Sequence, residues 1–285
     1  FVQDRMTLVE DSWYFTLGSK FGHNDYTGFE MQPTARLLWT PSERTSVWGG
    51  VSYAVRTPSR LEAEAQFTLP PPPGVPFFVQ GGTNPNIEAE DLVAYEFGIR
   101  SQPSDEFFWD AAFYLNDYSD VATFTAVGPP GFARPPFAGF GLPFQFANNP
   151  AHRQTWGGEL ATTVQPSDAW NVRAVYSYFR GQGGLDGVTS SPRNLFYINS
   201  GHDIGCDVEL NIIGRYQDVL AVAPAIPPYF EMDVQLGWRP LEDLEFTLVG
   251  RNLLDRAHSE TPPDQAGGVV NEVVREFYGG VTYRY

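Results

Sequence analysis

The stretch Phe230-Glu231-Met232-Asp233-Val234-Gln235-Leu236-Gly237-Trp238 decides the fold. Phe230, Met232, Val234, Leu236 and Trp238 fall on one side of an extended chain; Glu231, Asp233 and Gln235 fall on the other. Period two marks a β-strand with one apolar face, and helical spacing fits none of it. Downstream, Leu244, Phe246 and Leu248 oppose Glu245, Thr247 and Arg251, and Phe277, Val281, Tyr283 and Tyr285 oppose Thr282 and Arg284. Upstream, Val93, Tyr95, Phe97 and Ile99 oppose Glu96 and Arg100, Trp156, Leu160 and Val164 oppose Glu159, and Val208, Leu210 and Ile212 oppose Glu209 and Asn211. Segments 1–8, 13–21, 31–39 and 193–201 carry the pattern more weakly, for about thirteen strands in all. Many run to about nine to eleven residues, the length that crosses a bilayer at a tilt; strands of soluble proteins cluster near five or six.

Composition agrees with an all-β chain. Of 285 residues, 15% are aromatic and only 18% charged, with 28 Gly and 24 Pro to shape turns. The net charge of −16 excludes the basic footprint that nucleic-acid binding requires. The single Cys206 has no partner for an intrachain disulfide and is expected as a small strand residue. No run reaches the roughly 20 apolar residues of a membrane helix, which leaves a barrel open, because barrel strands alternate. No signal peptide is visible in these residues, and Phe1-Val2-Gln3-Asp4 reads as mid-strand, so the chain is expected to begin inside a larger protein.

Short and long connections alternate. Thr40-Pro41-Ser42-Glu43, Gln102-Pro103-Ser104-Asp105, Gln165-Pro166-Ser167-Asp168 and Arg239-Pro240-Leu241-Glu242 repeat one turn chemistry, and all fall on the same side of the strand count. Long connections are expected at 57–91, 119–154, 181–192, 217–228 and 253–273. Outer-membrane barrels have this asymmetry. Trp39 and Trp238 stand just before short turns, Trp13 and Trp170 just after them, and Trp109 slightly further along, as an interfacial aromatic girdle would require. The polar strand faces, including Glu96, Arg100, Asp110, Arg215, Glu231 and Asp233, are expected to line a lumen.

These residues support a family resemblance along nearly the whole chain. Arg36-Leu37-Leu38-Trp39-Thr40-Pro41, Tyr53-Ala54-Val55-Arg56-Thr57-Pro58, Asn84-Pro85-Asn86-Ile87 followed by Tyr95-Glu96-Phe97-Gly98-Ile99-Arg100, and Gly250-Arg251-Asn252-Leu253-Leu254-Asp255 resemble the C-terminal barrel region of TonB-dependent outer-membrane receptors. The last of these is similar to the family's Asn-Leu-Phe-Asp signature, with Leu254 in the Phe place. Tyr278, Gly280, Tyr283 and Tyr285 resemble the β-signal read by the barrel-assembly machinery. The resemblance implies an antiparallel transmembrane β-barrel, of which residues 1–285 supply about thirteen of 22 strands as an open, curved sheet with unpaired edges at 1–8 and 274–285. It also implies a place in the outer membrane of a Gram-negative bacterium and energised uptake of a scarce ligand, a ferric siderophore or similar iron complex, through a TonB complex that couples to an N-terminal plug with a TonB box; neither plug nor box has a counterpart here. Two other readings stand beside it: a non-energised porin or adhesin barrel, and a soluble β-rich carbohydrate-binding protein.

No catalytic constellation is present, and no enzyme activity or cofactor is expected. His23, His152, His202 and His258 are scattered, none at a local metal-ligand spacing, so no metal is expected. Glu231 and Asp233 read as solvated lining. The 128–150 connection carries Phe132, Phe137, Phe140, Phe144 and Phe146, an aromatic cluster that either binds ligand or packs on neighbouring loops and closes the mouth. Leu69-Pro70-Pro71-Pro72-Pro73-Gly74 reads as a stiff extended strut.

Overall fold

A computed structural model of the chain describes residues 1–71, 74, 76–135, 137, 139–182, 191–221, 225–260 and 272–285. The proline strut lies partly outside these. In chain order the elements begin with β1 (Val2–Val9), β2 (Trp13–Asn24), β3 (Gly28–Ser42) and β4 (Thr45–Arg56). A one-turn helix α1 (Arg60–Ala63), β5 (Phe67–Leu69) and β6 (Phe78–Gly82) precede β7 (Glu90–Ser104) and β8 (Phe107–Ser119). Then come β9 (Val121–Ala126), β10 (Gly131–Phe132), β11 (Phe140–Asn149), β12 (Arg153–Ser167) and β13 (Trp170–Gly181). The chain ends with β14 (Asn194–Ile204), β15 (Val208–Gln217), β16 (Tyr229–Leu241), β17 (Leu244–Arg251), β18 (Ala257–Ser259), β19 (Glu272–Val274) and β20 (Glu276–Tyr283).

Thirteen of these strands form one antiparallel wall in the order β1-β2-β3-β4-β7-β8-β12-β13-β14-β15-β16-β17-β20, as the alternation predicts. The wall is open. β1 and β20 end it, and every residue of both strands is exposed. Register carries the alternation from strand to strand: Glu96 pairs with Gly50 and Tyr114, Arg100 with Asp110, and Arg215 with Glu231, so the charged residues share one face, called inner here. The apolar partners share the outer face, where the protein leaves them uncovered. Leu17, Leu37, Phe97, Phe113, Leu160 and Leu248 are 39–58% exposed. A continuous apolar face of this extent is a cost in water and a fit to lipid, which weighs against the soluble reading.

The four proline turns have a common physical basis. Each proline lies in its strand, just before the turn, where the pairing register slips: between Trp39 and Ser42, Ser101 and Ser104, Val164 and Ser167, and Trp238 and Leu241. Proline has no N–H to give, and a bulge is the place in a ladder that asks for none. The residue before each proline donates its N–H to the preceding hairpin: Thr40 to Ser12 O, Gln102 to Arg44 O, Gln165 to Glu106 O and Arg239 to Asp207 O, at 2.7–2.8 Å. Outer-face rings collect at this end, with Trp13 stacked on Trp39 at 5.5 Å, Trp238 on Phe246 at 5.4 Å and Trp170 on His202 at 5.5 Å.

Three expectations need correction. Cys206 is an exposed residue of the β14–β15 turn, which Gly205 opens at φ +69°, and is no strand residue. The β2–β3 connection, on the side of the long loops, is only a three-residue turn, because Asn24 Oδ1 accepts from the Tyr26 and Thr27 N–H groups and Gly28 takes φ +76°. Glu231 and Asp233 are buried, at 6% and 7% exposure, where solvated lining was expected.

Candidate functional site

The two longest connections, β4–β7 and β8–β12, fold together at the loop end of the wall. β5, β6, β11, β9 and β10 form a second sheet, in which β11 lies between β6 (parallel) and β9 (antiparallel). Short polar side chains fasten it. Asn84, from the Asn-Pro-Asn-Ile stretch, takes the Ala63 carbonyl through its N–H at 3.0 Å and gives its Nδ2 to Phe146 O at 2.8 Å. Asn148 accepts from Glu88 N–H and donates to the Glu88 and Asp120 carbonyls. These bonds join one loop to the other.

Arg56, the last residue of β4, anchors the helix to the wall. Its Nη2 meets Glu62 Oε1 at 2.7 Å and Glu90 Oε1 at 2.5 Å, and the latter oxygen also accepts the Ala122 N–H at 2.8 Å. Ser59 and Glu62 form a reciprocal capping box. Burial opposes ionisation of Glu62, but hydrogen bonds from Arg56 and Ser59 outweigh it and hold the carboxyl below its ordinary range.

Between this second sheet and the inner face lies a cavity of about 740 Å³. Glu96, Tyr114, Asn116, Tyr118, Thr155 and Phe179 line it from the wall; Val121, Ala122 and Phe146 line it from the loops. The five phenylalanines of the second loop divide in two. Phe144 and Phe146 pack around Phe124, at 4.9 and 4.8 Å between ring centres, and Phe124 stacks on Phe67. Phe132 stacks on Phe140 at 5.5 Å, and these rings are 87% and 52% exposed; Phe137 packs on Phe78 and is 40% exposed. The loop thus has a packed aromatic base and an exposed aromatic tip.

A second polar cluster occupies the same end of the wall, at β15–β18. Asn252 is fully buried at φ +48°, a left-handed conformation that asparagine tolerates. Its N–H goes to Asp233 Oδ1 at 3.0 Å and its Nδ2 to Val273 O at 3.1 Å, and the next N–H, of Leu253, reaches Met232 O at 2.8 Å. The Asn-Leu-Leu-Asp stretch is therefore the pivot at which the chain leaves β17. Arg215 bridges Glu231 at 2.9 Å and Asp233 at 2.7 Å. His258 stacks on Tyr229 at 4.1 Å, with Glu231 and Glu260 nearby. Local spacing does not reveal this group, because Glu231 and His258 belong to different strands and are joined only by the fold.

The remaining candidates lie apart from the loops. Tyr278 and Gly280 point inward on β20, with Arg251 5.4 Å from the Tyr278 ring; Tyr283 is 62% exposed on the outer face and Tyr285 extends beyond the strand. His152 meets Asp117 at 3.1 Å, and His23 sits near the loop end of β2.

Comparison with known proteins adds the following. Residues 1–253 match the family model described as TonB dependent receptor-like, beta-barrel. No curated protein sequence matches the chain. Among solved structures, the siderophore receptor PirA of Acinetobacter baumannii is similar at 15% identity and TM-score 0.76. The ferric enterobactin receptor PfeA of Pseudomonas aeruginosa is similar at 17% identity and TM-score 0.76. In both cases the alignment covers 99% of this chain and 44% of the receptor. The ferric-catecholate import receptor Fiu of E. coli K12 is similar at 15% identity and TM-score 0.70, over 99% of this chain and 44% of Fiu. The chain thus spans less than half the length of these receptors.

Proposed function

The chain belongs to the TonB-dependent receptor-like β-barrel family, and from that premise we propose that it is the loop-bearing part of an outer-membrane receptor for TonB-energised uptake of a ferric siderophore or similar iron complex. The observation that carries this reading is the roofed cavity at the loop end: two interlocked loops stand over the inner face and border a half-open space of about 740 Å³, of the size expected for a small-molecule site. A roofed polar and aromatic site of this kind suits a receptor that must hold its ligand. The exposed Phe132–Phe140 pair extends outward as a first contact for an apolar or aromatic chelate, with Phe137 behind it, while Phe144 and Phe146 hold the roof together. Energy would enter through a plug in the whole receptor that couples to the TonB complex. Tyr278, Gly280, Tyr283 and Tyr285 would be the strand-edge signal for the assembly machinery.

Shortening the 120–152 connection in the whole receptor tests the reading. Binding of a panel of iron-loaded siderophores, followed by tryptophan quenching, should fall at least tenfold for the cognate chelate, with insertion into the outer membrane retained. Unchanged affinity across a panel that the parent receptor binds would refute the role of this loop.

A further inference from the structure

We propose that Glu231, His258 and Glu260 form a binding site for a divalent first-row transition cation of the zinc type, separate from the roofed cavity. One imidazole and two carboxylates, one ligand atom from each, lie within 4.8 Å of one another. A cation about 2.0–2.2 Å from each atom would hold such donors ~3.3 Å apart, so side-chain movements of roughly 1–1.5 Å complete the set and leave a fourth position open.

The second observation is His258 itself. Its side chain is 92% buried, given 8% exposure, and its Nε2 has no hydrogen-bond partner among the described residues. The nearest charged atom is Glu260 Oε1 at 3.6 Å, beyond hydrogen-bonding reach. An imidazole nitrogen and two carboxylates converge with no hydrogen bond between them among the described residues, and a buried polar group in that condition calls for an explanation. A cation bound to all three provides one.

The surroundings fit ligation through Nε2. That choice leaves the proton on Nδ1, 3.8 Å from Asp255 Oδ2; the carboxylate must move closer to complete the carboxylate–imidazole–metal order that orients such ligands. Asn252 Oδ1 is also without a partner, while Asn252 Nδ2 faces Nδ1 at 3.3 Å. Turning the amide over presents Oδ1 to the Nδ1 proton, but it replaces the Nδ2 bond to Val273 O with two facing acceptors, so the amide must also shift away from that carbonyl. Tyr229 stacks on the imidazole and gives its hydroxyl to Glu260 Oε1 at 3.3 Å, which restrains two of the three ligands. Arg215 holds Oε2 of Glu231 at 2.9 Å. The imidazole selects for zinc and its neighbours over magnesium, which prefers oxygen and water.

The test uses the whole receptor in detergent, with His258→Gln and Glu260→Gln made separately and barrel folding checked by heat-modifiable gel mobility. Glu260 is 41% exposed, so its variant tolerates folding if the His258 variant does not. Zn2+ titrated against a chromophoric chelator should show one equivalent more in the parent than in His258→Gln. Glu260→Gln should bind that equivalent about tenfold more weakly or worse. Co2+ in its place should give a ligand-field absorption band that His258→Gln lacks, and Mg2+ should not compete. Equal Zn2+ stoichiometry and affinity in the parent and both variants would overturn the proposal and leave His258 as a buried, proton-bearing side chain only.

Discussion

Leu160 and Ala161 are adjacent, yet an arginine at each should have opposite consequences. Leu160 is the central residue of β12 (Arg153–Ser167), and it is 47% exposed on the outer face between Ala111 and Tyr176. Ala161 faces inward, paired with Asp110 on one side and Val175 on the other. If the outer face contacts lipid, Leu160→Arg puts a charge near the bilayer midplane, at a cost of about 2–4 kcal/mol. That is roughly a 30- to 900-fold loss in the folding equilibrium. Ala161→Arg places the same charge in a wet interior, opposite a carboxylate that Arg100 already engages at 2.7 Å, so its cost should stay within about 1 kcal/mol. The assay is reversible urea unfolding of the receptor from lipid vesicles, read by tryptophan emission. Equal destabilisation by the two variants, or a larger effect at Ala161, would refute the assignment of faces and with it the membrane reading of the wall.

Three further outcomes follow from the loop end and the inner face. Arg56→Met leaves the buried Glu62 carboxylate without its cation; because Arg56 is itself half exposed, the cost should be about 1–3 kcal/mol, confined to the roof. Amide exchange of 57–89 and 120–152 should speed up while that of the wall does not. The carboxyl of Glu62 is held below its ordinary range, so its contribution is complete at neutral pH and declines as the pH falls from about 4.3 through the lower folded-state value. Exchange in the roof should therefore accelerate in acid, and Glu62→Gln should remove that dependence. Gly98→Val would drive a Cβ into the indole of Trp48, which covers Gly98 on the inner face, and should cost about 1–3 kcal/mol in the same urea assay.

The wall was legible because its driving signal is local. Alternation in Phe230–Trp238 states both strand and facing within nine residues, and the turn prolines state which end is which. What the turns did not disclose is that Pro41, Pro103, Pro166 and Pro240 sit inside their strands as bulge residues: a proline in a strand-like run reads as a breaker until the ladder beside it is known to skip a bond. The loops were opaque for the opposite reason. Phe140–Asn149 alternates, with Phe140, Leu142, Phe144 and Phe146 on one face, but its partners lie about 60 and about 20 positions earlier in the chain, and a parallel pairing such as Gly141 with Phe78 leaves no turn signature. The aromatic cluster could be found but not divided into base and tip, since that depends on Phe124 and Phe67, which come from other elements.

The Asn252–Asp255 stretch shows how one motif can join these two kinds of information. As sequence it is a short family signature. In the fold its asparagine is the most buried polar residue described, held in a left-handed turn by Asp233 from the neighbouring strand and by Val273 from the returning chain. That turn sends the chain away from β17 and back over the inner face, so His258 reaches the ring of Tyr229 and its imidazole approaches Glu231 and Glu260. Asp233 serves Asn252 and Arg215 at once, so it is committed to the pivot and unavailable as a ligand; among the described residues Glu231 is committed only to Arg215. Two acidic residues that look equivalent on one strand face thereby acquire different tasks, one structural and one free to meet a cation. The distinction is set by which of them the left-handed asparagine selects, and that selection lies in the register of β16 against β17 rather than in either residue.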